Sequence, residues 1–296
     1  MKTITAGVLE IAYLELGPPE GQPVVLLHGF PYDIHSYDEV APPLAAAGKR
    51  CLIPYLRGYG QTRFLDAQTM RSGQQAAVAA DLLAFLDALN IERAVLAGYD
   101  WGGRAACIVA ALWPERVSGL LSCDGYSIQN IAEAYKPAAP AAELLYWYQY
   151  YLHGDRGYRG LTLNRNAFCH LLWKMWSPTW TFTEQSFDTT ALSFANEDFV
   201  DVVTHSYRHR FGLVAGDPRY DPIELRLAPQ PPIAVPAVVI HGADDTVAPP
   251  PVDDPDKGRF TGPYRRQIIP GVGHNVPQEA PQAFASAILS LPGMHL

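Results

Sequence analysis

The 296-residue sequence predicts an α/β fold, a mostly parallel sheet flanked by helices, with an inserted helical cap. Three observations predict it. Short apolar runs of the kind that bury on both faces recur at 24–27, 51–53, 94–97 and 117–123, and again at 236–240, with a further strand expected over 265–269. Helical periodicity separates them, so successive strands are joined by crossovers rather than hairpins. From about 127 to about 227 this rhythm stops, and the stretch carries Trp147, Trp173, Trp176 and Trp180 together with a dense run of tyrosines.

The elements follow in order. Val24-Val25-Leu26-Leu27, ahead of His28-Gly29, is the first buried strand, and 40–47 covers it as a helix. Cys51-Leu52-Ile53 is the next strand, ended by Pro54. Over 74–90, Val78, Leu82, Phe85, Leu86 and Leu89 recur at helical spacing. A strand over 94–97, a small-residue helix over 102–113 stopped by Pro114, and a strand over 117–123 complete the first part. Helices over 144–152, 165–175 and 198–211 make the cap. Ala228-Pro229-Gln230-Pro231-Pro232 marks the return to the core, and a helix over 283–291 closes the chain. The expected division is core 1–126, cap 127–227, core 228–296.

Composition narrows the function. With 22 Lys+Arg against 30 Asp+Glu the net charge is −8, and no segment clusters the cations, which argues against nucleic acid or an anionic membrane as partner. Cys51, Cys107, Cys123 and Cys169 stand alone, without metal-binding spacing, and read as reduced thiols. No apolar run approaches the roughly 18 residues of a spanning helix. The start Met1-Lys2-Thr3-Ile4-Thr5 lacks a signal-peptide pattern, so the expected location is cytoplasmic.

The sharpest chemical signal is Gly98-Tyr99-Asp100-Trp101-Gly102, placed between a buried strand and a small-residue helix. A Gly-x-nucleophile-x-Gly turn at that place is a nucleophile elbow, holding its central side chain beside backbone N–H groups at a helix start. Its centre is Asp. A carboxylate is already ionised at neutral pH and attacks carbon without a base to deprotonate it. That suits opening an epoxide or displacing a halide from saturated carbon.

His28-Gly29-Phe30-Pro31, Arg57-Gly58-Tyr59-Gly60, the Asp100 elbow, Gly242-Ala243-Asp244-Asp245 and Gly273-His274, in that order, resemble the α/β-hydrolase superfamily in its epoxide hydrolase and dehalogenase branch. The resemblance implies that His274 is the general base acting on an ester of Asp100. It implies an orienting acid, with Asp245 favoured at the Gly-x-x-Asp position and Asp124 and Asp244 as alternatives. It implies an oxyanion hole from the N–H groups of Phe30 and Trp101. Arg57-Gly58-Tyr59-Gly60 reads as structural.

Leaving-group chemistry separates the two activities. An epoxide leaves an alkoxide that needs a proton, which a phenol can donate at neutral pH; a halide needs none. Tyr146-Trp147-Tyr148-Gln149-Tyr150-Tyr151-Leu152 resembles the first tyrosine segment of epoxide hydrolases, and His205-Ser206-Tyr207-Arg208 the second, which picks Tyr148 and Tyr207 as donors. Phe30, Trp101, Trp147 and Trp176 are the expected substrate-binding aromatics. The reading is an epoxide hydrolase that takes a small apolar epoxide and water, needs no cofactor or metal, and allows a homodimer. A haloalkane or haloacid dehalogenase with the same Asp-acid-His set, and a non-catalytic binding protein on the same scaffold, are the alternatives.

Overall fold

A computed structural model describes residues 1–294. The chain opens with an antiparallel pair, β1 (Lys2–Ala6) and β2 (Leu9–Leu16). Then come β3 (Gln22–Leu27), α1 (Ala41–Ala46), β4 (Lys49–Pro54), the two-residue β5 (Arg63–Phe64), α2 (Gln75–Ala88), β6 (Ala94–Gly98), α3 (Asp100–Leu112) and β7 (Val117–Cys123). The cap follows as α4 (Pro140–Leu145), α5 (Trp147–His153), α6 (Asp155–Trp176), α7 (Glu184–Ala191), α8 (Phe199–His209) and α9 (Asp221–Leu227). The sheet resumes with β8 (Ala237–Gly242) and β9 (Tyr264–Ile269), and α10 (Val276–Glu279) and α11 (Pro281–Leu289) finish the described chain.

The sheet order is β1-β2-β4-β3-β6-β7-β8-β9, with β5 on β2. Every pair from β4 through β3 to β9 is parallel, and only the pairs made by β2 are antiparallel. From β3 the chain moves outward to β4, then returns to lay β6 on the other side of β3. The strand order therefore reverses between β3 and β6, where Leu27 pairs Gly98. Loops leaving the carboxyl ends of two such strands diverge and open a crevice, which is where sheets of this kind bind ligands. Residues 28–31 leave β3 there, and Asp100 leaves β6.

The apolar runs bury because both sheet faces are covered. Every residue of β6 is buried, as are Val24 to Leu27 of β3. Each fully buried Val or Leu stabilises the fold by roughly 1.5–3 kcal/mol. Arg57 is also buried. Its Nε and Nη2 donate to the two Asp81 oxygens at 2.6 and 2.7 Å, and Nη1 donates to the Ser72 carbonyl at 2.7 Å. This two-pronged pair ties the loop after β4 to α2.

The cap differs from the expected helices in its ends. The 144–152 helix is two helices meeting at Tyr146, and the 165–175 helix is the second half of α6, which bends at Asn164. The first half of α6 carries Gly157, Gly160 and several polar residues, so it shows no apolar stripe. α7 and α9 were not expected. The cap docks on the core by polar contacts: Trp173 Nε1 donates to the Pro31 carbonyl at 2.8 Å, and Arg71 Nε pairs with Asp198 at 2.7 Å. Among the described residues, no helix is long and apolar enough to cross a membrane.

Candidate active site

The elbow between β6 and α3 is a close-packed backbone crossing. A Cβ on Gly102 would lie 2.2 Å from the Leu27 carbonyl oxygen, and one on Gly98 would lie 2.7 Å from the backbone of Gly102. Both positions therefore exclude a side chain. Asp100 sits at φ +48, a left-handed conformation that non-glycine residues adopt at a cost of about 1–3 kcal/mol and that points to a functional constraint. The Phe30 N–H donates to Asp100 Oδ1 at 2.7 Å. Trp101 stands in the first turn of α3, where backbone N–H groups have no acceptor within the helix. Oδ1 thus faces a backbone donor, while Oδ2 has no hydrogen bond among the described residues.

His274 is buried in the loop between β9 and α10. Its Nδ1 lies 2.7 Å from Asp245 Oδ2, and Nε2 has no protein partner. Asp245 follows β8, and its Oδ1 accepts the Val247 and Ala248 N–H groups, both at 2.8 Å. Asp124, after β7, brings Oδ2 to 3.8 Å from the same Nδ1 and leaves Oδ1 unpartnered. Asp244 is half-buried and is not within ion-pair reach of His274, whose carboxylate partners are Asp245 and Asp124. Burial alone would depress the His274 pKa, but Asp245, Asp124 and Asp100 outweigh it and raise it to about 10. Burial raises Asp124 to about 8 against the pull of His274, helped by Asp245 and Asp100, so it holds a proton at neutral pH. Asp124, Asp245 and His274 are also the three potential metal ligands that converge among the described residues. The 2.7 Å Nδ1–Oδ2 approach is a hydrogen bond that engages the same two atoms.

Tyr148 on α5 and Tyr207 on α8 meet edge to face, ring centroids 5.3 Å apart. Gln149 Nε2 donates to Tyr148 Oη at 2.9 Å, and Tyr207 Oη makes no hydrogen bond of normal geometry among the described residues. Burial raises both phenol pKa values, keeping them protonated at neutral pH. Phe30 stacks on Trp101 at 5.8 Å and meets Tyr207 at 5.4 Å; Trp176 meets Tyr148 at 5.0 Å and His274 at 5.2 Å. These rings form one wall. Trp147 is not part of it, packing instead against Phe168 and Tyr151 within the cap.

A cavity of about 460 Å³ reaches the site, and Asp100, Asp124, His274, Tyr148 and Gln149 are among the residues that line it. Sequence reasoning missed four of its features. Ser177 Oγ accepts the His274 N–H at 3.0 Å and donates to Glu279, which also accepts the Gly273 N–H, so the end of α6 pins the histidine loop. Arg104 and Arg210 line the cavity. Spacing could have found Arg104, four residues after Asp100 on one helix face; Ser177 and Glu279 left no such signal.

A sequence profile of the alpha/beta hydrolase fold family matches residues 22–281. Epoxide hydrolase A of Mycobacterium tuberculosis is 27% identical, over 99% of this chain and 97% of its own length. A haloalkane dehalogenase of Mycobacterium marinum is 30% identical over 46% of this chain, which spans half of that relative's length. The crystal structure of a proposed epoxide hydrolase from Klebsiella pneumoniae superposes with a TM-score of 0.96 at 48% identity, covering 98% of this chain and 96% of that one.

Proposed function

The chain belongs to the alpha/beta hydrolase fold family, and on that premise we propose that it is an epoxide hydrolase working through an ester on Asp100. The observation that carries this reading is the placement of two protonated phenols, Tyr148 and Tyr207, in the cap over a site whose floor is Asp100, His274 and Asp245. The phenols hold the ring oxygen. Asp100 Oδ2 attacks a ring carbon from the opposite side, giving a hydroxyalkyl ester. Oδ1 becomes its carbonyl oxygen, already against the Phe30 N–H. His274, held by Asp245 with Nε2 free, takes a proton from water, which attacks Cγ; Phe30 and Trp101 N–H groups stabilise the oxyanion, and the diol leaves. Phe30, Trp101 and Trp176 form the apolar wall for the substrate.

In this reading the enzyme works in the cytoplasm on a small epoxide and water, with the core at 1–126 and 228–296 and the cap at 127–227. Trp101 Nε1, buried without a protein partner, favours the second reading, a dehalogenase, since an indole N–H suits a halide. One turnover of styrene oxide in ¹⁸O-water tests the mechanism. The label is expected in the Asp100 carboxylate, read by peptide mass spectrometry, and not in the first diol. Label in that first diol overturns the ester route, and halide release from chloro- or fluoroalkanes without epoxide turnover overturns the choice of substrate.

A further inference from the structure

The cavity holds more positive charge than the ester mechanism uses. Arg104 lies one turn after Asp100 on α3, so the two side chains share a helix face. Its Nε donates to the Ser127 carbonyl at 3.1 Å. Arg210 follows α8 and enters from the cap, three residues after Tyr207. Its guanidinium lies 4.3 Å over the Tyr207 ring, Nη2 donates to Ser206 Oγ at 3.3 Å, and Nε is buried with no protein partner. Arg210 as a whole is only 9% exposed. Neither guanidinium has a carboxylate at ion-pair distance among the described residues, whereas Arg57, which is buried like Arg210, is paired with Asp81.

Two arginines that share one cavity and have no carboxylate at ion-pair distance repel each other. Burial and then the field of Arg210 push the Arg104 pKa down to about 10. Such an arrangement is relieved when an anion enters between them. Asp100 and Glu133 also line the cavity, the latter paired with Lys136, and their carboxylates disfavour a dianion such as phosphate. A planar monoanion with two oxygens matches the guanidinium fork.

We propose that the epoxide accepted by this cavity carries a carboxylate, gripped by Arg104 from the core and Arg210 from the cap. The proposal rests on the epoxide hydrolase reading and names its substrate class. The α3 rise sets Arg104 about 6 Å along the axis from Asp100. The carboxylate therefore sits a short spacer away from the ring carbon, and Tyr146, Tyr148 and Phe211 of the lining pack that spacer.

The test compares 4-(oxiran-2-yl)benzoate with the isosteric 4-(oxiran-2-yl)benzamide. The wild type should favour the acid by about 30-fold in kcat/KM, the range of a charge-assisted two-point contact. R104M and R210M should each lower that preference by about tenfold, mostly through KM, with R210K retaining part of it. No preference for the acid in the wild type overturns the proposal. So does an equal loss for acid and amide in the Met variants, which would mean that the arginines only bias Asp100 or Tyr207. Turnover of the amide without acid preference refutes this inference and leaves the epoxide hydrolase reading standing; turnover of neither refutes that reading. Calorimetry on D100N with the diol acid and the diol amide decides the carboxylate site without turnover and without altering either arginine. Tighter binding of the acid supports the proposal, and equal binding overturns it.

Discussion

Replacing Asp245 by Asn separates the orienting acid from its competitor. His274 Nδ1 lies 2.7 Å from Asp245 and 3.8 Å from Asp124. At an effective dielectric of about 20, unit charges at those separations attract by roughly 6 and, once Asp124 is ionised, 4 kcal/mol, so charge alone does not say which carboxylate orients the ring. Hydrogen bonding does. Only Asp245 reaches Nδ1, and two backbone N–H groups fix its other oxygen. Asp124 is the protonated member at neutral pH, its pKa raised to about 8 mainly by burial. In D245N a neighbouring anion is lost, Asp124 ionises, and it takes over part of the electrostatic role without the hydrogen bond. The expected costs in kcat are about 10²–10³-fold for D245N, under about tenfold for D124N, and about 10⁴-fold for the double variant. Rapid-quench kinetics separates ester formation from ester hydrolysis, and the loss should fall on hydrolysis. A larger loss in D124N than in D245N would refute the assignment. A double variant no worse than D245N would refute the compensation by Asp124.

Two further predictions concern the phenols and the charged cluster. Y148F and Y207F should each slow ester formation by about 10²-fold while leaving ester hydrolysis nearly intact; unchanged ester formation in both would remove them as donors. His274 has its pKa raised in the folded state to about 10, so its stabilisation is full below about 6.5 and is lost as pH rises through 10. Asp124 is likewise raised, and its burial costs more as pH climbs from about 4 to 8. Chemical denaturation should therefore show stability falling toward alkaline pH, with D124N flattening the slope below pH 8. Stability rising between pH 8 and 10 would contradict the raised His274 value.

The parallel strands were legible because burial on both faces writes an uninterrupted apolar run. β1 and β2 were not, since an antiparallel pair at the sheet edge is only half buried and interleaves Glu10 and Glu15 with its apolar residues. The elbow was legible because the backbone crossing at Gly98 and Gly102 tolerates no Cβ. The acid stayed ambiguous for a reason visible in the fold: β7 and β8 are adjacent, and the residues leaving their carboxyl ends, Asp124 and Asp245, converge on one imidazole. Trp147 was expected at the substrate, but it precedes Tyr148 on α5. Neighbours on a helix point about 100° apart, so a helix that turns Tyr148 inward turns Trp147 to Phe168. Arg210 was illegible from spacing, because only the cap fold brings it over the elbow.

The charge state of the cluster bears on the choice between epoxide and halide. Asp245, Asp124 and Asp100 raise the His274 pKa to about 10, which favours the imidazolium over the neutral ring that a base requires. Epoxide opening resolves the contradiction. The ester removes the Asp100 anion that helped hold the proton on His274, and the nascent alkoxide demands a proton. In the proposed mechanism Tyr148 and Tyr207 hand it over, and since burial raises both phenols from their ordinary value, the imidazolium is the proposed source of the proton. The hydroxyl forms, and the imidazole becomes neutral when water must be activated. Hydrolysis of the ester then returns a carboxylic acid, whose proton restores the imidazolium beside the Asp100 carboxylate, and the cycle closes without exchange with solvent. A halide leaves as an anion and takes no proton. The same imidazolium would then have to discharge to solvent from a buried position before hydrolysis could begin. The direction in which the carboxylates push His274 therefore supports the proposed basic leaving group, the ring oxygen of an epoxide.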